Sequence, residues 1–382
     1  MELLDYMNTH ENWMEELTEP PYSIHINHLD DYYSLKYDQI ESDMTLPLVR
    51  EARGSIFRRE GNEWICVARA MDKFGNVGED YVDVSLLDWD KGVDIQEKID
   101  GSIIKIYYDR GKWHIATNNV PDAFAAECGD TTYGYLFNSI VFENGQGGTF
   151  FRHANVDYCY WFELVSNKSP HVINYNEEML YFLGCRNMRT MKEEVLTELP
   201  PEWSWMKRPR HFTYHNMDEV LEAAHRMGDD EEGYVCMSTY LRGDSFVRMK
   251  VKGDVYLSLH KIKGNGIPTR KRILTMWQED SLDDFLAYFP QFRPNVQEVL
   301  DRIYNIQEFL ALYYNILWTK CDHNLKAFAH DIATYSKQVQ SVMFNLARGR
   351  INNVHEGLKT MRGQALYRLL YGEEEKNFDG NH

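Results

Sequence analysis

The sequence predicts an α+β fold built as two domains, and two observations carry that prediction. Up to about residue 264 the apolar residues fall in short β-branched and aromatic runs, divided by Gly, Asp and Asn as strands and hairpins are. Beyond that point they recur every three to four residues, as amphipathic helices require. A chain of 382 residues is long enough for two domains. Its hydrophobic (43%) and aromatic (14%) content suffices for substantial cores.

Composition excludes several classes. No apolar run approaches the roughly 18 residues of a membrane span. The start, Met1-Glu2-Leu3-Leu4-Asp5-Tyr6, has neither a basic region nor an apolar stretch of the secretory kind. The six cysteines are scattered without a C-x-x-C pair, which predicts reduced thiols in a cytoplasmic protein rather than disulfides or a zinc site. The net charge of −18 means that any phosphate-binding surface must be local.

In chain order, residues 1–50 read as a preamble in which apolar positions are dispersed and tyrosines crowd. His25 and His28 lie three apart without a third metal ligand nearby, which favours ordinary packing or surface histidines. Arg53-Gly54-Ser55-Ile56-Phe57 and Trp64 to Arg69 lead into Met71-Asp72-Lys73-Phe74-Gly75-Asn76, a strand–loop–strand pattern with Arg53 and Lys73 at its ends. The segment that the rest serves is Lys98-Ile99-Asp100-Gly101-Ser102. Its corner is expected to place Lys98 at the start of a strand, pointing into a pocket. Burial and neighbouring positive charge lower an amine's pKa and make it a nucleophile; a plain strand-leading lysine is the alternative. Ile103 to Tyr108 and Trp113 to Thr117 then form a hairpin around Asp109-Arg110-Gly111-Lys112. Residues 118–150 read as polar and Gly-rich, with a short helical piece at 122–127 and a loop at Gly145-Gln146-Gly147-Gly148. No phosphate-cradling G-x-x-x-x-G-K-[ST] or G-x-G-x-x-G occurs.

Val156 to Val165 is an apolar strand with one carboxylate, Glu163, which is costly there unless paired or used. Leu180 to Arg186 is another strand, and Met217–Met227 a helix. Two strands follow, one starting at Glu232 and one over Ser245–Lys252, joined through Arg242-Gly243-Asp244, which reads as a hairpin turn. Arg248, Lys250 and Lys252 alternate with apolar residues and so share a face; that face either binds phosphate or is the wet side of a sheet. Basic residues gather at Lys261, Lys263, Arg270, Lys271 and Arg272. Three helices follow: Leu300–Cys321, with an N-cap signal at Asn295 after Pro294, then Phe328–Leu346 stopped at Gly349, then Leu358–Leu370.

Taken together, A-R-G-x-x-F, K-x-D-G-S, an apolar strand ending in F-E, E-G-Y-V, and M-K-V-K followed by D-V-Y-L-S-L-H form one ordered set. This set resembles the covalent nucleotidyltransferases, and within them the phage-type RNA ligase 1 family, over about residues 37 to 285. The resemblance implies a nucleotidyltransferase domain over 1–264, with ATP-grasp-like antiparallel sheets and helices, and an all-helical RNA-specificity domain over 265–382. It implies an ATP-dependent RNA ligase, a monomer acting in RNA or tRNA repair, with Mg²⁺ or Mn²⁺. Lys98 would attack the α-phosphorus of ATP, AMP would pass to a 5′-phosphate RNA end, and a 3′-hydroxyl would then displace it. An ordinary lysine is neutral about once in a thousand near neutral pH, so neighbouring cations are needed, and phosphoryl transfer rests mainly on positioning and charge neutralisation.

By the same resemblance, Asp100 and Gly101 shape the nucleophile's loop, and Tyr37, Arg53 and Lys73 line the nucleotide pocket. Glu163 lies near the ribose and metal, Glu232 helps hold the metal, and Lys250 and Lys252 contact the α-phosphate, with Tyr256 following. Asp283 and Asp284 resemble a second metal-holding pair; an acidic pair favoured at a helix N-terminus is the other reading. The chain departs from the pattern at Gly75, where an aromatic is usual, and at Asn118, where a lysine is usual. A catalytically impaired RNA-binding relative is the main alternative. A DNA ligase or capping enzyme is a weaker one, because those carry a β-rich domain where this chain is helical.

Overall fold

In a computed structural model, residues 1–168, 173, 175–228, 230–253 and 268–372 are described. The chain divides into two compact units, Met1–Ile262 and Lys263–His382. Among the described residues the first holds three larger antiparallel sheets and a two-stranded ribbon, with helices, in a mixed α+β architecture.

The first sheet is a meander of β1 (Ile24–Leu29), β2 (Tyr32–Tyr37), β3 (Arg53–Glu60) and β4 (Glu63–Ala68). The supposed preamble is thus ordered structure. The helices Glu2–Thr9 and Trp13–Thr18 bury Leu3, Met7, Trp13 and Leu17 against Leu35 and Phe57 of this sheet. Leu3 and Met7 are one turn apart, a stripe too short to declare itself in a polar sequence.

β5 (Val93–Lys98) and β6 (Ser102–Asp109) flank the Lys98 corner, and β7 (Lys112–Thr117) completes the hairpin. Lys98 therefore ends a strand rather than starting one. Its strand escaped the sequence because Asp94, Gln96 and Glu97 mask a half-buried edge-like pattern around Ile95. Arg110 and Gly111 both have positive φ (47° and 82°), the geometry of the tight hairpin turn expected there. β8 (Glu127–Cys128) and β9 (Thr131–Thr132) form a small ribbon. They lead into a helix, Tyr133–Glu143, inside the stretch that reads as polar and Gly-rich and for which no helix is expected beyond 122–127. Its aromatic and β-branched residues and Gly134 are weak helix formers. Burial of Leu136, Phe137, Ile140 and Val141 against Ile104, Ile106, Phe162 and Trp203 overrides that weakness. The helical piece near 122–127 is a single 3₁₀ turn, Ala123–Ala125.

β10 (Tyr158–Val165), β11 (Met179–Asn187) and β12 (Glu193–Glu194) join β6 and β7 in a five-stranded sheet ordered β12-β11-β10-β6-β7. β13 (His211–Phe212), β14 (Gly233–Arg242) and β15 (Ser245–Lys252) join β5 in the third sheet, ordered β13-β5-β14-β15. The helix Met217–His225 covers its outer face, packing Val220 and Ala224 on Ile95, Cys236 and Val251. The segment at 71–76 is not a strand; Asn76 makes an isolated parallel bridge to Lys250 of β15.

Buried charges fix the loop before that bridge. Arg69, 1% exposed, pairs with Asp72 at 2.8 Å, Asp244 at 2.7 Å and Glu51 at 3.3 Å. Arg186, fully buried, pairs with Glu193 at 2.9 Å and donates to the carbonyl of Ala70 at 3.1 Å. Asp244 of the Arg-Gly-Asp turn is thus a structural anchor at the tip of the β14–β15 hairpin. All six cysteines are free thiols. His25 Nε2 bonds Asp38 Oδ2 at 2.9 Å, and among the described residues no cluster of three metal-ligating side chains occurs.

The second unit is helical: Arg270–Gln278, Leu282–Tyr288, Arg293–Lys320, Leu325–Asp331, Lys337–Ala347, Val354–Lys359 and Gly363–Tyr371. The long helix starts at Arg293 with Pro294 in its first turn, so Asn295 is not its N-cap; proline is favoured in that position because its missing N–H has no partner to lose. The second and third expected helices are each split in two. Ser336 and Asn353 cap new N-termini by accepting from Val339 N and Glu356 N, which apolar periodicity alone does not reveal. Among the described residues no helix is long and apolar enough to cross a membrane.

Candidate functional site

The site forms where the corner after β5 meets the near end of the β14–β15 hairpin. Lys98 stands directly opposite Gly233, which stands opposite Lys252, so three strands place two lysines on either side of a glycine. Glu232 reaches both amines. Its Oε2 lies 2.6 Å from Lys98 Nζ and its Oε1 3.2 Å from Lys252 Nζ. Glu232 is 3% exposed, Lys252 5% and Lys98 20%, so of the three Lys98 is open to an incoming group. Gly233 is required by this closeness, since a Cβ there would sit 2.8 Å from Lys252 Cα.

The corner itself is equally tight. A Cβ on Gly101 would lie 2.7 Å from Glu163 Cγ and from Leu164 O, so only glycine lets the corner press against β10. Asp100 organises the turn. Its Oδ2 accepts from Ile173 N at 2.9 Å, and its own N–H donates to the Tyr175 hydroxyl at 3.1 Å. Glu163 is buried, and its carboxyl is pushed up to about 8. Burial is the main cause, Glu232 and Asp100 add to it, and Lys98 and Arg53 oppose it.

Arg53, at the start of β3, and Lys250 each lie 5.8 Å from the centre of the Phe74 ring, so both cations pack against this one aromatic. Arg53 Nη1 is buried and has no hydrogen-bond partner among the described residues. Lys73 is buried with its amine 5.1 Å above the Tyr37 ring. Lys250 and Lys252 are buried, and Arg248 pairs with Glu193 at 2.6 Å, so the basic stripe of β15 is turned inward rather than being a wet face. Gln96 and Asp94 continue the Lys98 face of β5 into a cavity of about 540 Å³, which Trp161, Phe182, Phe246 and Arg248 also line.

The structure thus brings Lys98, Asp100, Gly101, Glu163, Glu232, Lys252, Lys250 and Arg53 into one region, with Lys73, next to Phe74, packed over Tyr37 at the end of β2. Tyr256 lies outside the described residues. Asp283 and Asp284 lie in the other unit, in the first turn of the helix Leu282–Tyr288. The departure at Gly75 has a local reason, because a Cβ there would meet Tyr81 Oη at 2.5 Å, so Tyr81 occupies the space of an aromatic at that position. Asn118 packs on Gly54, with its Oδ1 buried and without a hydrogen-bond partner. Sequence reasoning missed Tyr175 and the contact of Phe74 with two cations. Tyr175 carries no motif signal, while Phe74 sits beside Lys73 in a segment already singled out.

The family model for RNA ligases matches residues 51–256, more than half of the chain. The chain belongs to the RNA ligase family. Within this family's range of relatives, a protein of Autographa californica nuclear polyhedrosis virus that carries the name bifunctional polynucleotide kinase/RNA ligase is 29% identical over 285 residues. The match covers 71% of this chain and 39% of the viral protein, so the chain spans well under half of that relative. The RNA ligase of Rhodothermus phage RM378 is 25% identical over 309 residues, covering 66% of this chain and 68% of the phage protein. Among solved structures, an archaeal ATP-dependent RNA ligase is similar with a TM-score of 0.47 and 15% identity, over 80% of this chain and 81% of that one.

Proposed function

We propose that the chain is an ATP-dependent RNA ligase that joins 5′-phosphate and 3′-hydroxyl ends through a lysyl-AMP and an RNA-adenylate. The observation that carries this reading is Lys98, a partly open amine held 2.6 Å from Glu232 among Lys250, Lys252 and Arg53. Neutral Lys98 Nζ attacks the α-phosphorus, a P–N bond forms, and the P–O bond to pyrophosphate breaks. Glu232 orients the amine and is placed to accept its proton. Lys250, Lys252 and Arg53 offset the charge that develops on the phosphate oxygens. The RNA 5′-phosphate then displaces Lys98 from AMP, and a 3′-hydroxyl finally displaces AMP.

Glu163 and Glu232 fit a divalent cation, because such an ion near phosphates takes one or two carboxylates and fills its shell with phosphate oxygens and water. A bound Mg²⁺ or Mn²⁺ would neutralise phosphate charge there. Asp283 and Asp284 are proposed for a second ion. Tyr37 and Lys73 are assigned to the nucleotide pocket, and Tyr256 to the segment after β15.

The first unit is assigned to adenylyl transfer and the helical unit to choice of RNA, with a role in RNA or tRNA repair. The viral relative's name joins ligation to polynucleotide kinase, an activity that makes the 5′-phosphates used here. Reversing the charges of Lys261, Lys263, Arg270, Lys271 and Arg272 should weaken RNA joining and leave adenylation intact.

The deciding experiment is incubation with ATP labelled on its α-phosphate, followed by denaturing electrophoresis of wild type and Lys98→Ala, with GTP in parallel. Label on wild type alone supports the reading. Absence of label on folded, nucleotide-free wild type would turn it toward an impaired RNA-binding relative, and label on Lys98→Ala would mean another nucleophile.

A further inference from the structure

Behind the site lies a buried amine that the reaction scheme does not use. The register between β2 and β3 shifts at Leu35/Lys36, opposite Arg53 and Ser55, so Gly54 is an extra residue bulged out of the ladder. Its φ is 71°, in the left-handed region, and a Cβ there would lie 2.6 Å from Asn118 Cα and 2.8 Å from Lys105 Nζ. The bulge frees the Gly54 carbonyl, and Lys105 Nζ donates a hydrogen bond to it. Lys105 is fully buried on β6, the strand that begins just after the nucleophile's corner. It therefore ties the first sheet to the second at the point where Arg53 leaves β3 for the cleft.

The charges here are unbalanced. Among the described residues, the charged or titratable groups that act on the Lys105 amine are Arg53 from β3, Cys66 from β4 and Cys159 from β10, with no carboxylate among them. Burial pushes both thiols up, to about 12 and about 11, so they remain neutral. Burial also pushes the Lys105 amine down, to about 7, and Arg53 pushes it the same way. Beside it, Arg53 Nη1 is a buried donor and Asn118 Oδ1 a buried acceptor, both without partners among the described residues. Arg53 is half-buried and acts on the Glu163 carboxyl, whereas Lys105 is fully buried with a carbonyl for its acceptor, so an anion that arrives with a ligand favours the charged form of the Lys105 amine.

We propose that Lys105 is a positioning residue for the nucleotide's polyphosphate: it holds the Gly54 bulge that aims Arg53, and it takes up a proton when the polyphosphate binds. This inference rests on the nucleotide-binding reading above. Lys105 is closed off from the cleft, so it acts through the Gly54 carbonyl and through space rather than by touching phosphate. The proton comes from solvent and goes to Lys105 Nζ; no other bond changes.

The test is isothermal titration of the wild-type chain with the α,β-methylene analogue of ATP, which cannot transfer AMP, at pH 8 in buffers of different ionisation enthalpy. Wild type should take up roughly half a proton or more on binding, and its affinity should fall as pH rises from 7 to 8.5. Lys105→Met should remove both the uptake and the pH dependence and weaken binding roughly tenfold. Lys105→Gln keeps a donor without the charge; it should recover part of the affinity and none of the uptake. Thermal unfolding of each variant separates loss of the site from loss of the fold. Equal proton uptake in wild type and Lys105→Met, or unchanged affinity in that variant, overturns the proposal. Failure of wild type to bind the analogue at all overturns the nucleotide reading, and this inference with it.

Discussion

Gly233→Ala is the sharpest test of how the site is built. The new Cβ would sit 2.8 Å from Lys252 Cα and 3.0 Å from Val251 C. Ordinary carbon–carbon contact is about 3.5–4.0 Å, so roughly 1 Å must be found at these atoms, and more at Val251 O, which the Cβ would crowd most closely. Both neighbours are backbone atoms, so no side chain can swing away, and β14 and β15 must part. Gly233 lies between Lys98 and Lys252, and the adjacent Glu232 holds both amines at 2.6 and 3.2 Å. Parting the strands by that amount breaks at least one of these contacts. Overpacking of this kind costs roughly 1–3 kcal/mol, which corresponds to a fall in Tm of about 2–4 °C per kcal/mol for a domain of this size. A displacement near 1 Å at a reacting group lowers the rate about 100-fold. The assay is the initial rate of labelled AMP transfer to the protein, with Tm measured alongside and Gly148→Ala, which has no neighbour within 4 Å, as control. Wild-type labelling and an unchanged Tm in Gly233→Ala would refute the argument that backbone contact at this glycine sets the lysine geometry.

Other perturbations have equally definite signs. Because burial raises the Glu163 carboxyl to about 8 in the folded chain, the folded state holds a proton there that the unfolded state releases near pH 4. That contribution to stability is fully present below the unfolded value and is lost as pH rises through 8. Glu163→Gln should accordingly raise Tm at pH 8.5 and flatten its decline between pH 6 and 9, while lowering adenylation; a wild-type pH–Tm curve in the variant would count against it. Glu193→Gln leaves Arg186 and Arg248 without their shared carboxylate and should cost about 3–5 kcal/mol, read by urea unfolding. Gly101→Ala should abolish labelling with only modest loss of fold, since the clash is with Glu163 and Leu164 of the neighbouring strand. The buried thiols, with Cys236 pushed up to about 12, should resist alkylation in the native chain and react once it is denatured, as counted by mass spectrometry.

What the sequence made legible follows from range. Lys98, Gly101, Glu232 and the β15 lysines sit in short motifs whose chemistry is local, and the corner and both hairpins announce themselves through Gly and Asp. The strand before Lys98 did not, because its polar residues face the cleft and a cavity rather than solvent, which breaks the usual inside–outside alternation. The helix Tyr133–Glu143 escaped because packing against the second sheet, not propensity, makes it helical. Lys105 escaped because one lysine among Ile103, Ile104 and Ile106 reads as an exposed strand position. Only the bulge at Gly54, which is on another strand and another sheet, gives it a role.

The bridge between Asn76 and β15 has a consequence for association. Among the described residues β15 is the outermost strand of its sheet, and a bare outer strand is a template on which a second chain can add itself. Here Lys250 N donates to Gly75 O and Lys250 O accepts from Val77 N, so the outward backbone groups at that position are already taken. The segment that supplies them also carries Phe74, against which Arg53 and Lys250 pack, and Lys73, which we assign to the nucleotide pocket. Insulating the edge and furnishing the cleft are thus one structural act. Loosening this segment would expose a strand edge as well as weaken the site, so variants here should lose activity and gain a tendency to self-associate together.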